Sequence, residues 1–69
     1  MKFTVEDHNG DASFIVRFED DTYALVDTRN EEVYRDDPDD LMSRGYWIEA
    51  SEQPVSEEDI SRIDKILNP

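Results

Sequence analysis

The side chains able to do chemistry in this 69-residue chain are few in kind and lopsided in charge. There is one histidine, His8, and no cysteine. His8 stands beside Asp7 in a stretch, Asp7-His8-Asn9-Gly10-Asp11, that reads as a turn. With no thiol to activate, it is expected to be an exposed turn histidine and not a catalytic base. Ser13, Ser43, Ser51 and Ser56 lie in no nucleophile elbow, and Ser56 already has a helix to cap. Carboxylates abound, but acid–base catalysis needs two in different environments, at least one of them desolvated. Acids in turns and helix starts stay in water. The Asp7–Asp11 stretch offers oxygen ligands at alternate positions, yet it lacks the glycine at position six and the glutamate at position twelve of an EF-hand loop. Asp36-Asp37-Pro38-Asp39-Asp40 is dense in ligands and has an ordinary explanation as a helix start. The expectation is a protein that binds, with no catalytic residue, no metal and no cofactor.

Charge carries the strongest signal. Nineteen Asp and Glu face seven Lys and Arg, a net charge of −12. Self-repulsion of that size opposes compaction. Seven aromatic residues and regular apolar periodicities nonetheless argue against disorder. The acids recur as doublets: Asp20-Asp21, Glu31-Glu32, Asp36-Asp37, Asp39-Asp40 and the run Glu57-Glu58-Asp59. Ten acids and only two basic residues, Arg29 and Arg35, lie between Glu19 and Asp40. Turns and caps explain some of them, but uncharged Ser, Asn and Gly serve turns equally well. Nucleic acid and anionic membrane are poor direct partners, because phosphate would be repelled, and no apolar run approaches the roughly 20 residues of a spanning helix. The fitting partner is a basic surface. The absence of cysteine suits the cytoplasm.

The elements that must position these acids follow from periodicity. Lys2–Asp7 alternates, with Phe3 and Val5 on one face, and Asn9-Gly10 follows as a hairpin signal. Ala12–Glu19 is the clearest strand, with Phe14, Val16 and Phe18 on one face and Ser13, Ile15 and Arg17 on the other. Thr22–Thr28 and the short Glu31–Arg35 continue an antiparallel meander. Asp37, Pro38 and Asp40 spell the start of a short helix ending at Gly45, and Tyr46–Ala50 reads as a fifth strand. Ser56 caps the last helix with Asp59 completing a capping box, and Ile60, Ile63, Ile66 and Leu67 form its apolar stripe. The predicted fold is one α+β domain: an antiparallel sheet of three to five strands with the C-terminal helix on one face and a short helix before the last strand. Phe14, Val16, Phe18, Leu25, Ile48, Ile60, Ile63 and Leu67 are its expected core. An exposed Ile60–Ile63 stripe would instead imply a homodimer. Tyr34, Tyr46 and Trp47 are expected to complete the small core, with an interface as the alternative.

In length, charge, lack of cysteine and β-rich layout, the chain resembles the small acidic DNA-mimic inhibitors that phages make against restriction and CRISPR systems. The resemblance implies binding by occlusion of a DNA channel, without a cofactor, in the cytosol of the host cell. Its physical content is spacing. Duplex DNA carries a phosphate about every 3.4 Å along each strand, and strand residues rise roughly 3.3 Å each. The partner-binding residues expected on this basis are Asp20, Asp21, Glu31, Glu32, Asp36, Asp37, Asp39 and Asp40. Two alternatives stand beside it. The acid could be a halophile's solvation coat, spread evenly over a generic acidic domain, or the chain could be an immunity-like inhibitor of a basic toxin or enzyme.

Overall fold

The computed structural model describes residues 2–69. Strands β1 (Phe3–His8), β2 (Ser13–Phe18), β3 (Tyr23–Asp27) and β4 (Glu32–Arg35) are followed by helix α1 (Pro38–Met42), a two-residue strand β5 (Ile48–Glu49) and helix α2 (Glu57–Leu67). The five strands form one antiparallel sheet in the order β4-β3-β2-β1-β5. The expected α+β architecture is present. No helix among the described residues is long and apolar enough to cross a membrane.

The sheet is buried on both sides, and the two sides come from one alternation. Phe14, Val16 and Phe18 of β2 lie with Ala24 and Val26 of β3 beneath Ile63 of α2. The intervening residues, Ile15 and Leu25, face the other way and meet Leu41 of α1, with Tyr23 and Trp47 alongside. This second layer exists because β5 pairs outside β1, not beside β4. The chain must cross the sheet between β4 and β5, and α1 lies on that crossing. Leu41 and Ile63 are each fully buried, one on either side.

Several expectations are corrected here. Leu25 is core, but of the α1 layer, and Ile15, Ala24, Val26 and Leu41 join the core unanticipated. Ile48 and Leu67 are only half-buried. Ile60 is 40% exposed, because on this 11-residue helix Ile63 occupies the centre of the sheet-facing stripe and Ile60 falls to its margin. Tyr34 and Tyr46 are exposed, and only Trp47 packs against the core. Ser56 Oγ accepts from Asp59 N at 3.2 Å, but no return bond from the Asp59 carboxylate occurs among the described residues, so only half of the capping box forms.

The register of β1 slips between Val5 and Asp7, leaving Glu6 as a bulged residue without an opposite number. Strict alternation would have placed Asp7 on the same side as Phe3 and Val5, inside the α2 layer. The bulge turns Asp7 to the Ile15 side and brings His8 opposite Phe14. His8 is therefore buried, contrary to the expected exposed turn position. Its Nε2 bonds the Gln53 carbonyl at 2.8 Å, and its Nδ1 accepts from Gly10 N at 3.0 Å. Gly10 has a φ of 77°, a left-handed conformation that glycine adopts without strain. Asn9 Oδ1 accepts from the N–H groups of Asp11 and Ser13, which ties down the rest of this connection.

The two isoleucines of α2 separate cleanly in a truncation experiment. Ile63→Ala should cost about 2–5 kcal/mol, enough to unfold most of a small domain at room temperature. Ile60→Ala should cost about 1 kcal/mol or less. Urea denaturation followed by circular dichroism measures both, and similar losses for the two would contradict the packing described.

Candidate functional site

Tight turns in a meander alternate between its two ends. The β2–β3 turn carries Asp20 and Asp21, and β4 returns the chain to that same end, where Asp36 and Asp37 lead into α1. Asp20, Asp21, Tyr23, Arg35, Asp36 and Asp37 line one cleft of about 560 Å³. Asp39 and Asp40 sit in the first turn of α1 next to it. Six of the eight expected residues are thus gathered at one end of the sheet. Glu31 and Glu32 are not. They occupy the β3–β4 turn and the first residue of β4, at the opposite end. All eight are exposed.

Local backbone chemistry holds three carboxylates of the acidic end, those of Asp20, Asp36 and Asp37. Asp20 Oδ1 accepts from the Thr22 hydroxyl at 2.6 Å and from Thr22 N at 3.1 Å, and these bonds hold its carboxyl below the usual range. Asp21 takes a left-handed φ of 65° and meets the Arg17 guanidinium at 3.3 Å. Asp36 Oδ1 accepts from Asp37 N at 2.8 Å, and Asp37 caps α1 by accepting from Asp40 N at 3.1 Å. Asp40 is pushed above the usual range by its hydrogen bonding to and repulsion from Asp37, then by Asp36. Carboxylate oxygens of Asp36, Asp37 and Asp40 lie within 4.8 Å of one another. Capping of the helix start accounts for that grouping. Of the eight expected residues, Asp21 alone forms an ion pair among the described residues. Two arginines reach this end: Arg17 pairs with Asp21 as well as Glu6, and Arg35, stacked over the Phe18 ring, lines the cleft and acts on Asp20, whereas Arg29 pairs with Asp11 and Arg44 lies over the Tyr34 ring. Six acids at this end thus face two arginines, which leaves an excess of negative charge.

A second acidic group was not foreseen. The β1 bulge sets Glu6 and Asp7 next to each other, and Asp7 pairs across to Glu49 of β5. Arg17 Nε meets Glu6 Oε1 at 2.6 Å. Burial, then repulsion from Glu49 and Glu6, raises the Asp7 carboxyl above its ordinary value. The sequence holds no signal for this, since a bulge leaves no mark in an alternating pattern. The same holds for Tyr23 and Arg35 as walls of the cleft.

Asp7 makes a pH-dependent prediction. A carboxyl whose pKa is higher in the fold than in the unfolded chain stabilises the fold only below the unfolded value, about 3.9. That contribution is lost as pH rises through the folded value. At pH 7 the half-buried charge opposite Glu49 is a liability, and like charges in cross-strand positions are destabilising on a scale of about 0.2–1 kcal/mol. Asp7→Asn should raise the melting temperature by about 1–6 °C at neutral pH, and the gain should vanish below about pH 3.9. Thermal melts of both proteins across that range would show it; a gain that persists in acid would contradict the assignment. Comparison of the chain with protein-family models, with curated proteins and with solved structures finds no match.

Proposed function

We propose that this chain is a binding inhibitor, not an enzyme, that presents nucleic-acid-like charge to a basic DNA channel of a host defence complex and occludes it. The observation that carries the reading is the convergence of Asp20, Asp21, Asp36, Asp37, Asp39 and Asp40 at one end of a rigid sheet, with one ion pair among them. The carboxylates of Asp20, Asp36 and Asp37 are held by backbone N–H groups, so these three meet Lys and Arg side chains without first being ordered. Exposed charges of this kind accelerate encounter and weaken with salt. The partner is a protein whose own ligand is DNA, and the acidic end takes the place of phosphates.

Gel-shift competition tests this directly. A target duplex bound by purified CRISPR surveillance or restriction complexes should be released by the wild-type protein at about 0.05 M salt and much less at about 0.3 M. Single carboxylate changes should each cost about 0–1 kcal/mol. Asp36, Asp37, Asp39 and Asp40 changed together to Lys should abolish release in a protein that circular dichroism shows folded. Asp37→Asn with Asp40→Asn serves as the control, because Asn can still cap α1. A folded quadruple variant that competes as well as wild type would remove this site, and a wild type that releases no duplex would remove the mechanism.

A second reading, the solvation coat of a halophile, is favoured by the acids away from this end, namely Glu31 and Glu32 in the opposite turn and Glu57 and Glu58 on α2. It requires folding to depend on screening. The domain would then be largely unfolded near 0.1 M salt, where the Debye length is about 10 Å, and its melting temperature would climb steeply with added salt. A cooperative melt at 0.1 M excludes it.

A further inference from the structure

The two acidic turns stand at opposite ends of the molecule, but they flank the same strand. Glu31 and Glu32 mark the start of β4, and Asp36 and Asp37 follow its end. β4 is also an edge of the sheet, paired with β3 alone. The other edge, β5, has two residues.

Hydrogen bonds fix which backbone groups of β4 are free. Phe18 N donates to Thr22 O at 2.9 Å and Thr28 N to Ala12 O at 2.8 Å. With the β2–β3 register, these bonds make Val16–Ala24 and Phe14–Val26 the hydrogen-bonded pairs, so Ala24 and Val26 turn their backbone groups toward β2. Leu25 and Asp27 therefore turn theirs toward β4, where they meet Tyr34 and Glu32. Val33 and Arg35 are left with N–H and C=O groups pointing outward. Among the described residues, no hydrogen bond outside the strand ladder reaches either one.

We propose that β4 accepts an extended basic segment of the partner protein as a sixth strand, an inference that rests on the partner being basic, as argued above. Backbone pairing at Val33 and Arg35 supplies affinity, and the acids at the two ends supply specificity. Glu32 and Asp36 are about 13 Å apart along an extended chain, so a segment of about seven residues with Lys or Arg at both ends spans them. Opposite Arg35 the segment carries a neutral residue, and opposite Val33 an apolar one. A second copy of this chain is disfavoured, because it brings a charge of −12 to the same edge.

The probe is the peptide acetyl-Lys-Lys-Thr-Tyr-Val-Lys-Lys-amide, which in antiparallel register sets Thr against Arg35 and Val against Val33. Its control is the same peptide N-methylated at Thr and Val, with identical charge. The unmodified peptide should slow amide exchange at Val33 and Arg35, and the methylated one should bind at least about tenfold more weakly. Val33→Pro, which removes an outward N–H and spares the bonds to β3, should lose the same affinity with unchanged circular dichroism. The methylated control needs no variant to fold. Equal affinity of the two peptides, or rapid exchange at Val33 and Arg35 with peptide saturating, overturns the proposal. So does protection of both amides without peptide in a protein of doubled solution mass, which identifies a second copy as the occupant. A wild type that releases duplex DNA yet binds both peptides alike overturns the edge and leaves the inhibitor reading standing. One that discriminates between the peptides and releases no DNA overturns the inhibitor reading and supports the edge.

Discussion

Two-sided burial of β2 and β3 is the constraint on which the rest of this structure depends. A chain of 69 residues with a net charge of −12 has little apolar surface with which to oppose self-repulsion. It uses both faces of the same two strands. Phe14, Val16, Ala24 and Val26 are covered by α2, and Ile15 and Leu25 by α1. Ile63 and Leu41, each fully buried, close the two sides. Because both faces are occupied, most of the acids lie at the ends, along the edges and on the outer faces of the helices, Glu6 and Asp7 of the inner strand β1 excepted.

The bulge at Glu6 serves the same constraint. It removes Asp7 from the α2 layer, where an ionised carboxylate would sit among Phe3, Val5 and Phe14. The residue that enters instead is His8, whose two ring nitrogens are both hydrogen-bonded, to Gln53 and to Gly10. A polar group is exchanged for one that the surrounding backbone can satisfy. The cost reappears on the other face, where Asp7 lies near Glu6 and opposite Glu49, and only Glu6 is paired with an arginine, Arg17.

The acidic end and the open edge follow from the order of the strands. Three tight reversals carry Asp20, Asp21, Asp36 and Asp37 to one end and Glu31 and Glu32 to the other, and the crossing to β5 leaves β4 uncovered at the rim. Charge at both ends of a short edge strand deters pairing with apolar strands and with other copies of this chain. In the proposal above the same charge selects a basic strand, so that protection against aggregation and recognition of that partner would draw on the same residues.

Much of this was legible in the residues themselves. Alternation placed β2 and β3, the Asp37-Pro38 and Ser56 signals placed the helix starts, and the Ile60–Leu67 stripe required α2 to cover the sheet. The division of the acidic turns between two ends was implicit in the meander, since each tight turn reverses the chain. Three features were decided only by the tertiary structure. Pairing of β5 with β1 put α1 over Ile15 and Leu25, the Glu6 bulge buried His8 and exposed Asp7 to Glu49, and the curvature of contact on α2 left Ile60 at the margin. The reason is common to all three. Local periodicity specifies which side of an element a residue occupies, but the choice of neighbouring strand, the register against it and the line of closest approach are set by packing between segments distant in the chain.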